Sequence, residues 1–144
     1  MTRHGFDYLF GNELNQWNLA ITSACRGRRG QKFFRDLIDA LDAMPTKVLQ
    51  AGHLQGLDGR VCALGAVYQH RKIPMPEMFV SLDDPDDMAA KHSRLLDIAK
   101  ALAAQVQYTN DEEGPDGEGD AMRWIRVRKW AESQLIPEPT GENQ

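Results

Sequence analysis

Five cations fall within ten residues of this 144-residue chain: Arg26, Arg28, Arg29, Lys32 and Arg35, with no acid among them. Guanidinium and ammonium groups at this density can follow a phosphate backbone, and five phosphate contacts would make such binding strongly salt-dependent. Gly27 and Gly30 give the backbone freedom to bend around a polyanion. The simpler reading is a solvated junction between two helices, its cations paired with Asp36, Asp39 or acids elsewhere in the chain. A second concentration of charge is negative. Residues 110–120 hold Asp111, Glu112, Glu113, Asp116, Glu118 and Asp120, six acids in eleven positions. Asp83, Asp84, Asp86 and Asp87 bring the total to ten of the chain's 21 carboxylates. If the two segments lie close, they form an anionic face able to engage a basic partner. Calcium also favours carboxylates on a flexible loop, but the spacing does not follow the alternating EF-hand pattern, so no metal is expected. Asp120 instead suits the cap of the helix that follows.

Two further groups carry potential chemistry. Arg123, Trp124, Arg126, Arg128, Lys129 and Trp130 interleave cations with aromatics, a composition that can stack bases and hold phosphates. Trp124, Val127, Trp130 and Ala131 share one helix face, however, which predicts core packing and leaves Arg126 and Lys129 to solvent. Cys62 stands where a helix is expected to begin, and a helix N-terminus lowers a thiol's pKa and activates it. A cysteine enzyme would also need a base, for which His53, His70 and His92 are available. Nothing in the spacing pairs one of them with Cys62, and Val61, Ala63 and Leu64 around it read as core. Two cysteines, Cys25 and Cys62, and four scattered histidines make no zinc pattern. The chain has no P-loop, GxGxxG, GxSxG or HExxH motif, which disfavours kinase, NTPase, nicotinamide-dependent dehydrogenase and zincin chemistry. No cofactor is expected.

The elements that must position these groups are mostly helical. Residues 1–11 read as an N-terminal arm in which Phe6, Tyr8 and Phe10 alternate. A helix is predicted from Asn12, with Leu14, Trp17, Ile21 and Ala24 at three-and-four spacing. It breaks or bends at the glycines of the basic run. A second helix carries Phe34, Leu37, Ile38, Leu41 and Met44 and stops before Pro45. A short β element near residues 47–62 is compatible with Lys47–Gln50, with residues 60–62 and with the Asp58-Gly59 turn signal. The small-residue run from Val61 predicts a buried helix to about His70. Asp84, Pro85 and the acids after them are a strong helix start, and an interruption is expected near Ser93. Beyond it Leu95, Ile98, Ala99, Leu102 and Val106 line one face. The last helix begins near Asp120, and residues 137–144 form a tail.

The expected fold is therefore mainly α, with five or six helices in one domain over residues 12–136. The expected core is Trp17, Ile21, Phe34, Leu37, Leu41, Leu64, Val67, Ile98, Leu102, Val106, Trp124, Val127 and Trp130. Hydrophobic residues make up 42% and charged residues 26%, which is ordinary for a globular domain and excludes general disorder. No apolar run approaches the roughly 20 residues of a membrane span. The N-terminal residues lack the apolar stretch of a secretory signal, so a reducing cytoplasm is the expected setting. The net charge of -4 speaks to solubility and not to function.

Five segments together carry a resemblance: Arg26-Gly-Arg-Arg-Gly-Gln31, Leu41-Asp-Ala-Met-Pro45, Val61-Cys-Ala-Leu-Gly-Ala66, Asn110-Asp-Glu-Glu-Gly114 and Arg123-Trp with Arg126-Val-Arg and Trp130. Over about residues 15 to 136 the chain resembles a group of small proteins encoded by tailed phages and prophages. The group has no activity to carry over. What the resemblance implies is a setting, an infected bacterium or a virion. It leads to the expectation of a non-enzymatic protein that binds a host protein or nucleoprotein complex, as a defence inhibitor or host-takeover factor. The surfaces available for it are Asp83, Asp84, Asp86, Asp87, Asp111, Glu112, Glu113, Asp116 and Glu118, or the basic run Arg26, Arg28, Arg29, Lys32 and Arg35. A nucleic-acid-binding module using the basic run is the alternative, and a cysteine enzyme the second.

Overall fold

The computed structural model describes residues 16–56, 58–76 and 84–137. The expected arm at residues 1–11, the cap at Asn12, Asp83 and the tail beyond Pro137 lie outside those residues. Six helices follow one another around a single core among the described residues: α1 (16–26), α2 (Arg28–Ala43), α3 (Ala63–Arg71), α4 (Pro85–Leu96), α5 (Lys100–Asp111) and α6 (Asp120–Gln134). No helix among them is long and apolar enough to cross a membrane.

The central element is α2. Phe33, Phe34, Leu37, Ala40 and Leu41 recur at helical spacing and are all buried. They pack against α3 on one side and α6 on the other. The chain breaks at Gly27, as the glycines predict, and Gly30 lies in the first turn of α2, pressed against the end of α1. The crossing is pinned by Gln31, a buried amide. Its Nε2 donates to the Cys25 carbonyl at 2.7 Å and to the Gln134 carbonyl at 2.9 Å, while its Oε1 accepts from the Ile136 backbone N–H at 2.9 Å. One side chain thus joins the ends of α1 and α6 to the start of α2.

The short β element is reduced to one isolated antiparallel bridge, Gln55 to Val61, and no strand forms among the described residues. Three glycines and a turn occupy the space that paired strands would need. Gly59, in the Asp58-Gly59 turn, takes a φ of +86°, a conformation that glycine adopts without steric cost. α3 then opens at Cys62 with no cap from its own segment. Asn110 supplies one from α5: its Oδ1 accepts from the Ala63 N–H at 3.0 Å, and its Nδ2 donates to the Gln50 carbonyl at 2.9 Å.

The Asp84 cap is present, its side chain accepting from the Asp86 N–H, with Pro85 opening the helix. The interruption falls not at Ser93 but at Asp97, which adopts φ 54° in the left-handed region. Ser93 stays helical and helps to end the helix: its carbonyl accepts from the Ile98 N–H at 3.2 Å, and its hydroxyl donates to the Ile98 carbonyl at 2.6 Å.

Of the expected core, Phe34, Leu37, Leu41, Leu64, Val67, Ile98, Leu102, Val106 and Val127 are fully enclosed. Ile21, Trp124 and Trp130 are half-buried against that core, and Trp17 is half-buried as well. Trp130 packs edge-on to Phe34 at 5.3 Å, and Trp124 Nε1 donates to the Leu41 carbonyl at 3.2 Å. Phe33, Leu49, Tyr68 and Leu96 are enclosed with them. Tyr68 and His92 form a buried polar pair, with the hydroxyl and Nδ1 2.7 Å apart; Nε2 of His92 is enclosed with no partner among the described residues.

Two predictions follow from this packing. Replacing glycine by alanine inside a helix ordinarily gains about 1 kcal/mol. At Gly30 the added Cβ would collide with the Ala24 carbonyl. Gly30→Ala is expected to lose about 1–3 kcal/mol, because backbone must move to admit the methyl. Urea unfolding reads the sign directly. The second concerns His92. Burial, with Lys91 beside it, pushes its pKa down from 6.5 to about 4. The unfolded chain therefore takes up the proton first. Stability is full above about pH 6.5 and is lost as the pH falls toward 4, by on the order of 3 kcal/mol. Unfolding free energies across that window should decline in the parent and stay flatter in His92→Phe.

Candidate charged interface

All five cations of the basic run are exposed. Arg28, Lys32 and Arg35 stand at i, i+4 and i+7 on α2, on the side opposite its buried face. Arg26 closes α1 just ahead of them. Two of the five cations are paired: Arg29 with Asp97 at 3.2 Å and Lys32 with Asp36 at 3.1 Å. The Arg29–Asp97 pair is largely solvated and holds weakly, whereas Lys32 reaches from solvent to the mostly buried Asp36. Arg26, Arg28 and Arg35 have no acidic partner among the described residues.

The acidic segments do not form one surface. Asp86 turns to Lys100 at 2.6 Å, and Asp84 is occupied as a cap. Asp87 is exposed. Asp111 accepts from the Gly52 N–H at 3.0 Å and from Asn110 Nδ2 at 2.7 Å, both through Oδ1. Glu118 is drawn inward, where Arg126 grips both its oxygens at 2.8 and 2.9 Å. The Arg126 bond holds the Glu118 carboxyl below the usual range against a smaller opposing effect of burial. Asp120 does not cap α6, because Gly119 takes the N-cap position and the carboxylate instead bridges Arg60 and Arg123 at 2.9 and 2.8 Å. No bond joins the 84–87 segment to the 111–120 segment among the described residues. The acids left exposed without an ion pair on the turn between α5 and α6 are Glu112, Glu113 and Asp116, with Asp111 beside them. Glu113 accepts only from Gln105, at 3.1 Å.

The arginines of α6 account for this. Arg126 is mostly withdrawn from solvent: beyond Glu118 it donates to the Thr109 carbonyl at 2.6 Å and the Asn110 carbonyl at 3.3 Å, satisfying the open end of α5. Arg123 donates to the Leu49 carbonyl at 2.9 Å. Arg128 clasps Asp42 of α2 at 2.7 and 2.9 Å and Glu132 at 3.0 Å. The α6 arginines are tie-rods between helices, and Lys129 alone keeps its expected exposed place. The interleaved cation–aromatic composition is thus consumed by the fold. The spacing in sequence could not disclose it, since the acceptors lie on α2, on α5 and before α3.

Cys62 sits at the start of α3, as expected, but burial pushes its thiol up to about 11, overriding the bonds from the helix N-terminus. Burial raises Cys25 as well. The three histidines are dispersed. His92 is held by Tyr68, and His53 is exposed. His70 meets Asp36 and Asp39 of α2, with ligand-type atoms within 4.8 Å of one another, a grouping that the sequence reading missed. Asp36 there is already committed to Arg71 at 2.8 Å and to Lys32. Burial pushes the Asp36 carboxyl up, but the bonds from Arg71 and Lys32 outweigh it and hold it below the usual range. This is an ion-pair cluster that ties α2 to α3.

The contrast between Arg126 and Lys129 is testable. Arg126→Ala strands the nearly buried Glu118 and two carbonyls, and is expected to destabilise the domain by about 3 kcal/mol. Lys129→Ala should change stability by no more than about 0.5 kcal/mol. Thermal melts of the two variants compare them. No protein-family model matches this chain, and no curated protein or solved structure matches it.

Proposed function

We propose that this protein acts by binding a macromolecular partner rather than by catalysis, and that the partner contacts the acidic turn between α5 and α6. The observation that carries the reading is the division of charge. Glu118 and Asp120 are withdrawn into the fold, and their pairing with Arg126 and Arg123 fixes the turn on which Glu112, Glu113 and Asp116 remain exposed. A pre-organised patch of like charge steers a partner of opposite charge and acts mainly on the association rate. The buried, protonated Cys62 supports the non-enzymatic side of the proposal. The resemblance to phage-encoded proteins makes a host protein or nucleoprotein complex the natural partner.

A second reading has its own support. Arg26, Arg28 and Arg35 are exposed, without acidic partners among the described residues, on the outer side of the α1–α2 junction, a stripe that suits a phosphate backbone. Arg28 to Arg35 spans about 10 Å of helix, long enough to meet successive phosphates.

The experiment is capture from bacterial lysate, with and without nuclease treatment, using three baits: the parent, Glu112→Gln/Glu113→Gln/Asp116→Asn, and Arg26→Ala/Arg28→Ala/Arg35→Ala. A protein retained by the parent and the arginine variant, but lost with the amide variant, is the expected result. Recovery that requires nucleic acid and disappears with the arginine variant overturns the lead in favour of the second reading. A mobility shift at about physiological salt, where non-specific binders show dissociation constants of roughly 10⁻⁴–10⁻⁶ M, measures that alternative directly.

A further inference from the structure

One cleft in the molecule is unused by either charged surface. It has a volume of about 310 Å³ and lies where the 52–55 segment, the start of α3, Met75–Pro76, α4 and the end of α5 meet. That volume is at the small end of ligand pockets and suits a body of about ten heavy atoms.

Its chemistry is one-sided. Cys62, Leu64 and Val106 are the buried part of the lining, with Met75 and Met88 half-buried beside them. Methionine side chains are adaptable and favour contact with aromatic rings. The exposed part of the lining includes Asp111 and His53. Among thirteen lining residues there is one carboxylate and no lysine or arginine. Both bonds that Asp111 accepts from its neighbours go to Oδ1, so Oδ2 is left without a partner among the described residues. Neither neighbour, a backbone N–H and the Asn110 amide, carries a charge to neutralise it. The charge is felt within the cleft: after burial, Asp111 is among the influences that push the Cys62 thiol up. An anionic ligand would meet this carboxylate with no cation to offset it. A neutral apolar ligand would leave it unused.

We propose that this cleft binds a small organic cation, an aromatic or aliphatic amine whose apolar body rests on Leu64, Val106 and the two methionines and whose ammonium group pairs with Asp111. Binding orders no covalent chemistry and needs no other group. The site is separate from the macromolecular contact, whose test leaves Asp111 intact, so failure of either proposal leaves the other standing.

The test uses three probes with one body and different heads: phenethylamine, 2-phenylethanol and 3-phenylpropionate, titrated into the full chain and followed by methyl resonances. Phenethylamine should bind about five- to tenfold more tightly than the alcohol, and the carboxylate should bind least. Shifts should centre on the methyl groups of Leu64, Val106 and Met88. Asp111→Asn keeps an acceptor for Gly52 and Asn110, and should bring the amine down to the affinity of the alcohol. Met88→Trp, checked for a native helical spectrum, should weaken all three by filling the cleft. Equal binding of the three heads, preference for the carboxylate, no shifts at these methyls up to about 10 mM probe, a concentration at which a ligand of millimolar affinity saturates, or an amine preference that survives Asp111→Asn would each overturn the proposal.

Discussion

A primary amide has two donors and an acceptor that can face different ways, and burying one is costly unless its groups find partners. Gln31 meets that demand with three backbone groups from three places, at Cys25, Gln134 and Ile136. The remainder of the packing follows from that constraint. α1 can end against α2 only because Gly30 has no side chain to hold it off. α6 can end beside both only because its last carbonyl has a donor waiting. With those three termini fixed, the apolar face of α2 has α6 on one side and α3 on the other. Asn110 repeats the device across the molecule, where one amide supplies the cap of α3 and steadies the segment before it.

Charge is arranged by the same logic. An unpaired helix end is a set of carbonyls in search of donors, and arginine, with five donors on a rigid plane, serves several at once. Arg126 closes α5 and Arg123 reaches the Leu49 carbonyl, and each then recruits an acid from the neighbouring turn. The formal count of carboxylates in that turn therefore overstates what a partner would meet. On α2 the reverse holds. The helix has no acidic residue in its first turn and its cations stand opposite the core, so most of their charge reaches solvent.

Legibility in the sequence followed the range of the interaction. The α2 stripe, the Asp84-Pro85 start, the break at Gly27 and the burial around Cys62 all depend on neighbours within a turn or two, and each was readable. The helix break at Asp97 was not, because a left-handed aspartate has no residue type that announces it. The β element shrank because pairing depends on register across a loop, which spacing alone does not specify. The roles of Gln31, Asn110 and Arg126 were invisible. Their partners lie as far as 105, 60 and 17 positions away, and polar residues that bond to distant backbone look no different from polar residues on a surface. For the same reason the acidic residues could be counted but not divided into spent and available ones.

The narrow attachment of α1 has a dynamic consequence. Trp17, Ile21 and Ala24 are only half-buried, and the positions between them face solvent, so Cys25 is its one fully enclosed residue. Gln31 loses one of its three bonds if α1 lifts away, but keeps the two that hold α6. Lifting is hinged at Gly27 and leaves the α2–α3–α6 core assembled. Such an opening breaks fewer of the described contacts than unfolding does, and is expected to cost less. Its signature is rapid amide exchange in α1 beside slow exchange in α2, and the Cys25 thiol is reachable only while that door stands open.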